Sequence, residues 1–391
     1  MKRFLFALIA CLAAIAAPAQ TDTVVSIVNV YPGKVFYELE GHTVLRVAFP
    51  DGRDYAVSYG TFDFEAPNFL YRFVKGETDY FVSLVPWQLF VDEYTRQHRR
   101  IVEHRLAFDH AQTRRLVGLL EENLLPENRI YRYNYVKDNC ATRPLRLVEL
   151  AAGDSIILGP APFESQPLMR PTFRNVMRLY HSYYPWYQFG IDLALGSGID
   201  YMINRREMSF APVELDGQLP AATVGGRPLV SSNIVVADFA PFEAVEPPTP
   251  WYLTPLAVFG LLFVLIVAVT VRDQRRHRVT RWVDAVLYGV YGIAGLVLTY
   301  LIFVSVHEAT SPNWLYLWLN PLCLIPTIFI WLKKCKGLVL SYQIVNFVVL
   351  FLLAAMWYWL PQSANPAFVP LLLADAVRSA SYIRLNYKSN A

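Results

Sequence analysis

The chain has 391 residues, of which 54% are hydrophobic and only 17% charged. That is too long for one ordinary soluble domain and too apolar for the globular average. The net charge of +3 is small, so no face-wide basic excess points to nucleic acid.

Met1 to Ala19 reads as a secretory signal peptide: Lys2 and Arg3 form the charged region, Phe4 to Ala16 the apolar run, and Ala17-Pro18-Ala19 the small-residue cleavage site. The alternative, a lipobox ending at Cys11, has too short an apolar run before the cysteine and too long a run after it. Of the four cysteines, Cys11 leaves with the signal, and Cys323 and Cys335 lie in or beside apolar stretches. Cys140 is then the single exported cysteine. It has no local partner in a compartment where disulfides persist, which marks it as a candidate reactive thiol.

The exported domain is expected over residues 20–240. Gly41 to Phe49 is rich in β-branched residues, Pro50-Asp51-Gly52-Arg53 supplies turn chemistry, and Asp54 to Phe62 returns as a second strand. This hairpin places His42 near its open end, across from Tyr59, Gly60 or Thr61. From Val91 to Leu125 the pattern turns helical, with Leu116, Leu119 and Leu120 on one face. Tyr131, Tyr133 and Tyr135 follow at strand spacing. They run into Asp138-Asn139-Cys140, after which Leu145 to Ala152 reads as a helix with Gly153 as its C-cap. Pro144 fits only the first turn of that helix, so Cys140 lies at or just before a helix N-terminus. Residues 155–250 give no clear elements, and 241–250 is a Pro-rich linker. His98, His104, His110 and His181 are scattered without zinc-ligand spacing, and no metal or nucleotide cofactor is expected.

Residues 251–386 read as a membrane region of about five helices. Trp251–Val271, Trp282–Val304, Leu315–Leu332 and Leu338–Leu360 are each long enough to cross. The last stretch, from Phe368 to about Leu385, contains Asp375 and Arg378, which could pair on one helix face or mark emergence into the cytoplasm. The first connection carries Arg272, Arg275, Arg276, Arg278 and Arg281, and the third carries Lys333, Lys334 and Lys336. Those over 307–313 and 361–366 carry no Lys or Arg. The positive-inside rule makes the basic loops cytoplasmic and the domain before Trp251 periplasmic, as the signal requires. The expected location is the inner membrane, multi-pass.

A thiolate at a helix N-terminus is stabilised by free backbone N–H groups and the helix dipole, which lowers its pKa toward neutrality. The same N–H groups can hold an oxyanion, and an imidazole can carry the proton. Cys140 and His42 supply both partners; filling for the first and a structural role for the second are the bland readings.

The strings GHTVLRV, SYGTFDF and DNCATRPLR resemble the periplasmic domain of Lnb-type lipoprotein N-acyltransferases of Bacteroidota, and VSVHEATSPNWLYLWLNPL resembles their membrane part. The resemblance implies an α+β, permuted papain-like domain of the NlpC and lecithin-retinol acyltransferase kind, followed by the helical bundle. It also implies acyl transfer from a membrane phospholipid, through a Cys140 thioester, to the α-amine of a diacylated lipoprotein, with His42 as base. A third catalytic group is open among Ser58, Tyr59, Thr61 and Asn139, with Tyr59 preferred. Arg143, Ser58, His307 and Asn313 are candidates for substrate binding, the last two in a loop facing the proposed site. A membrane-anchored cysteine peptidase or amidase acting on cell-wall peptides would keep Cys140 and His42 but change the substrate, and a non-catalytic envelope scaffold would leave Cys140 as core filling.

Overall fold

The computed structural model describes residues 22–387; the signal peptide and Cys11 lie outside them. Two compact units result, and they do not follow one cut near residue 250. The first gathers residues through Asp63, Asp79–Ser165 and Arg205–Ala244; the second gathers Phe64–Thr78, Gln166–Asn204 and Val245 onward.

The first unit is built on a seven-stranded sheet: β1 (Val24–Val30), β2 (His42–Ala48), β3 (Asp54–Thr61), β4 (Tyr80–Pro86), β5 (Ile101–Leu106), β6 (Ile130–Tyr131) and β7 (Val230–Ala237). Its order is β7-β5-β1-β2-β3-β4-β6, and every neighbouring pair is antiparallel. The expected β2–β3 hairpin forms, with Val44 opposite Ser58 and Ala48 opposite Asp54. Its turn is closed by Gly52 at φ +90°, a conformation that costs glycine nothing, and by the Arg53 backbone N–H donating to Asp51.

The two sheet faces bury different sets. Ile27, Leu45, Val57 and Tyr59 pack with Leu116, Leu145 and Val148 from the helices His110–Leu124 and Thr142–Ala152, and with Ala141 just before the second helix. Val28, Val30, Val44 and Ala56 pack with Trp87 and Phe90 of the helix Trp87–Arg96. The expected continuous helical pattern over 91–125 is thus two helices with β5 between them. β5 carries Glu103, His104 and Arg105, charges that read as a helix surface; in the fold Glu103 is buried and accepts from Ser26 (2.7 Å) and Arg46 (2.9 Å). The aromatic run also corrects the reading, since pairing stops at Tyr131 and Asn134 and Asp138 close a turn on each other.

The second unit is inside-out. Leu261, Val264, Val290, Ile293, Val345 and Phe351 are exposed, whereas Asp284, Gln343, Asn346, Asp375, Arg378 and Ser379 are buried. Lipid-facing helices show this pattern, because only the bundle interior can satisfy polar groups. Among the described residues three helices are long and apolar enough to span: Pro255–Arg276, Arg281–Phe303 and Lys333–Trp359. The expected helix over 315–332 is instead broken: short 3-10 turns at Trp314–Leu317 and Pro321–Cys323 precede the helix Leu324–Phe329. Pro321 and Pro326 each remove a backbone donor, and Asn320 caps the next turn by accepting from the Leu322 N–H. The broken segment packs closely on the second span: a Cβ on Gly295 would fall 2.3 Å from the Asn320 carbonyl carbon. Phe368–Asn386 forms a helix beside the first and third spans.

The two ends of the spans differ. The loop after Phe303 bonds to 64–78, and Ser363 accepts from Arg178 (2.8 Å). The residues 64–78 and 166–204 are both excursions from the N-terminal half of the chain. The Arg- and Lys-rich connections lie at the other ends of the same helices.

Asp375 and Arg378 do not pair with each other. Arg378 donates to Asp284 (2.5 Å) and Asp273 (3.0 Å), whereas Asp375 accepts from Tyr288 (2.9 Å) and Asn346 (2.7 Å). Carboxylates on the neighbouring helices outcompete the one on the same helix. Removing one partner from a buried ion pair leaves an uncompensated charge, so Arg378→Ala is expected to lose about 3–5 kcal/mol. Thermal unfolding in detergent checks this, with Arg53→Ala, at an exposed ion pair with Asp51, as the mild comparison.

Candidate active site around Cys140

Asn139 sets the position of the thiol. Its Oδ1 accepts from the backbone N–H groups of Ala141 and Thr142, both at 2.9 Å, and from the Thr142 hydroxyl at 3.2 Å. Its Nδ2 donates to the carbonyls of Tyr135 (2.8 Å) and Phe210 (2.7 Å). The side chain therefore caps the helix Thr142–Ala152 and ties it to two other chain segments, which is a positioning role. Ala141, wholly buried, seats that helix start on the sheet. Cys140 is left 9% exposed at the helix start, as expected from Pro144 and the C-cap Gly153, whose φ is +76°.

A glycine in β3 makes the approach possible. Gly60 has φ +88° beside a register shift between Ser58 and Thr61. A Cβ there would lie 2.9 Å from the Tyr133 ring and 3.8 Å from the Cys140 Cβ. A glycine inside a strand pattern signals such close approach, though not which residue makes it.

The thiol is not depressed toward neutrality. Burial pushes it up to about 11, and the Glu40 carboxylate adds to the rise; hydrogen bonds from the Thr43 backbone N–H, the Tyr133 hydroxyl and the cysteine's own N–H pull the other way. The helix start does supply donors, but withdrawal from water outweighs them. Glu40 is 7% exposed and accepts from the Tyr135 hydroxyl. Neither it nor Tyr133 stood out in the sequence, although Glu40 is only two residues before His42.

His42 is half-buried, and burial, reinforced by the Arg99 guanidinium, lowers its pKa to about 4. The imidazole is therefore neutral near pH 7. Its Nε2 lies 2.8 Å from the Ser58 hydroxyl. Strand alternation puts His42 with Val44, Ala56 and Ser58 on one side of the sheet and Thr43 with Leu45 and Tyr59 on the other. The thiol thus meets the residue next to the histidine, and among the described residues no hydrogen bond joins the imidazole to the sulfur.

Ser58, expected to bind substrate, is the imidazole's partner. Tyr59, the preferred third group, is turned to the opposite face: it is fully buried, packs at 6.4 Å from the Tyr131 ring and finds no hydrogen-bond partner among the described residues. Thr61 bonds to Ser83 (2.8 Å). Arg143 is committed to Asp138, with Nε 2.9 Å from Oδ1, and stacks 3.7 Å from the Tyr131 centroid.

Behind Thr43 lies a buried polar chain that sequence reasoning missed. The Thr43 hydroxyl donates to Asn29 (2.7 Å), Asn29 reaches Asp216 (3.5 Å), and Asp216 accepts from Tyr31 (2.8 Å) and pairs with His104 (2.8 Å). It fixes the side chain of the residue whose N–H meets the sulfur.

His307 and Asn313 belong to the second unit and hold its loops. His307 Nε2 donates to the Phe73 carbonyl (2.9 Å); Asn313 accepts from the Leu315 N–H (3.1 Å) and donates to the Leu193 carbonyl (2.8 Å).

A mixed α/β domain with a buried thiol at a helix start, followed by an inside-out helical region, defines a membrane protein with a thiol-bearing N-terminal domain. Two family models match the chain: the Lnb N-terminal periplasmic domain over residues 13–174 and the Lnb transmembrane domain over residues 247–390. Together they cover most of its length in the expected order, and the chain belongs to the Lnb-type proteins, with a periplasmic N-terminal domain and a C-terminal transmembrane region. No curated protein and no solved structure matches it.

The electrostatics around the thiol give a test with a defined sign. Alkylation of Cys140 by a soluble iodoacetamide, read by peptide mass spectrometry, should rise with pH toward a midpoint near 11. Glu40→Gln removes a like charge and moves the midpoint down; Tyr133→Phe removes a donor to the thiolate and moves it up. A midpoint near the ordinary thiol value that ignores both changes would contradict this arrangement.

Proposed function

We propose that the chain is a lipoprotein N-acyltransferase working through Cys140. The observation that carries the reading is a thiol that meets the backbone N–H of Thr43 and its own, with the neutral His42 next to Thr43 in the strand, in a chain matched by both Lnb domains. The order of elements, histidine strand before thiol helix, supports a permuted papain-like arrangement. The two loops without Lys or Arg support a multi-pass inner-membrane placement with five crossings, counting the broken segment and the helix Phe368–Asn386.

The first half-reaction opens an acyl ester of a membrane phospholipid. The sulfur attacks the ester carbonyl as its proton passes to the imidazole, which reaches it around the open end of β2, where His42 is the first strand residue. With the thiol high and the imidazole low, no ion pair exists at rest, so the proton moves as the S–C bond forms. The Thr43 and Cys140 N–H groups and the Tyr133 hydroxyl are the donors nearest the developing oxyanion. The C–O bond breaks, and the imidazolium returns its proton to the departing lysophospholipid alkoxide.

In the second half-reaction the α-amine of a diacylglyceryl-cysteine attacks the thioester. An α-amine has a pKa near 8, so a fraction is neutral at pH 7. The C–S bond breaks, the amide forms, and the amine's proton returns to the sulfur. Glu40 draws the cationic acceptor toward the thiol. Both lipid substrates lie in one leaflet, which gives a thiol domain a reason to carry a membrane bundle; a wall peptidase needs only a tether.

Mass spectrometry of a lipoprotein N-terminal peptide tests the reaction in cells that depend on this protein for N-acylation. Wild type should give the triacyl form. Cys140→Ala should give only the diacyl form, and His42→Ala should slow acylation about 10²–10⁴-fold. Unchanged triacylation in both variants would sink the thiol mechanism. Glu40→Gln separates the half-reactions: acyl-thioester should still form and accumulate, while transfer needs several-fold more acceptor. Loss of thioester formation in that variant would remove Glu40 from the acceptor role.

A further inference from the structure

We infer that Phe64–Lys75 and Tyr300 form a binding site for the acyl chain of a membrane phospholipid. Between β3 and β4 the chain leaves the sheet and enters the second unit, where Phe69–Lys75 forms a helix of 7 residues with no buried side chain. So short a helix is unstable alone. It is held from its C-terminal end: the Val306 N–H donates to the Lys75 carbonyl (2.9 Å), Ser305 Oγ to the Val74 carbonyl (3.0 Å) and His307 Nε2 to the Phe73 carbonyl (2.9 Å). Gly76, at φ +83°, lets Val306 and His307 approach; a Cβ there would stand 3.0 Å from Val306 Cγ2.

These anchors all follow the end of the span Arg281–Phe303, so the helix sits at the level where that span leaves the apolar layer. A groove of about 720 Å³ lies there, lined mainly by Phe64, Phe69, Leu70, Tyr71, Val74 and Tyr300. This volume falls in the range of roughly 300–1,000 Å³ typical of small-ligand sites. Leu70 is 72% exposed and Phe64 and Tyr71 each 55%, continuous with Phe303 at 68% and Val306 at 60%. An apolar surface this contiguous marks an interaction site. Tyr300 belongs both to the groove and to a span whose outward residues Val290, Ile293 and Val297 are exposed, so the groove opens onto the surface that faces acyl chains. The occupant fixed by that continuity is a phospholipid tail, not a soluble apolar molecule or a protein helix. The site rests on the membrane placement of the spans and not on the thiol chemistry, although it would serve the proposed transfer.

The test uses the full chain in phosphatidylethanolamine–phosphatidylglycerol nanodiscs containing a trace of phospholipid with a diazirine in its acyl chain. After photolysis, adducts should concentrate on the peptide covering 64–75 and on Tyr300, equally in wild type and Cys140→Ala. Leu70→Gln should cut labelling of 64–75 at least threefold, and Leu70→Phe should keep it, while adducts on Val264 of the first span stay constant as a folding control. Adducts confined to the spans, labelling of 64–75 indifferent to Leu70→Gln, or competition by a soluble alkane but not by unlabelled phospholipid would each overturn the site. Because Cys140→Ala is labelled as well, failure of acyl transfer leaves this result standing, and the reverse.

Discussion

The side-chain amide of Asn139 is hydrogen-bonded at both ends, and the rest of the thiol site depends on that clamp. Its oxygen captures the first free N–H groups of the helix Thr142–Ala152, while its nitrogen holds the carbonyls of Tyr135 and Phe210. The turn before the thiol, the helix after it and the distant segment at Phe210 are thereby fixed around one side chain. Cys140 has no freedom to leave the sheet, because the next residue, Ala141, is buried in the core. The glycine at residue 60 completes the constraint from the opposite side, since any side chain there would displace Tyr133.

What was legible in the sequence is what local pattern decides. The β2–β3 hairpin, its Asp-Gly turn, the helix after Pro144 and the C-cap at Gly153 follow from propensity and turn chemistry. β5 was hidden because its polar residues are satisfied by partners tens of residues away: Glu103 by Ser26 and Arg46, His104 by Asp216 and Asn233. That Ser58 and not Tyr59 shares a face with His42 was not legible, because the opposing residue across a hairpin is readable, whereas the face each side chain takes near a bulge is not. The thiol's pKa failed for a different reason. A helix N-terminus is a sequence feature, but burial is a property of the finished fold.

The helical unit shows the same division. Length, hydropathy and loop charge give the spans and their orientation. The break at 314–329 was masked by composition, since an apolar stretch with Pro321 and Pro326 scores like a straight one. Irregular backbone at that depth is tolerated only where protein covers it, and here Gly292 and Gly295 of the neighbouring span provide the close seat: Cβ atoms there would meet Leu324 and Asn320. Buried charge is treated similarly. Arg378 and Asp375, on one helix, are stable because other helices answer each of them: Asp273 and Asp284 the arginine, Tyr288 and Asn346 the carboxylate.

A raised thiol beside a lowered histidine suits an exported cysteine better than the thiolate–imidazolium pair of a cysteine protease. Oxidation follows thiolate character and exposure, and the periplasm holds no reducing buffer. A sulfur 9% exposed and protonated at rest is shielded on both counts. The cost is a weaker resting nucleophile, which the proposed lipid substrate would offset by its high local concentration within a membrane. In the acyl transfer proposed above, an ester would bring its own developing oxyanion to the N–H groups of Thr43 and Cys140, so the charge would form on oxygen and not on a sulfur that burial disfavours. Under that proposal, the same burial that keeps the thiol quiet in the free protein would favour transfer to an amine over hydrolysis, because it excludes water from the thioester.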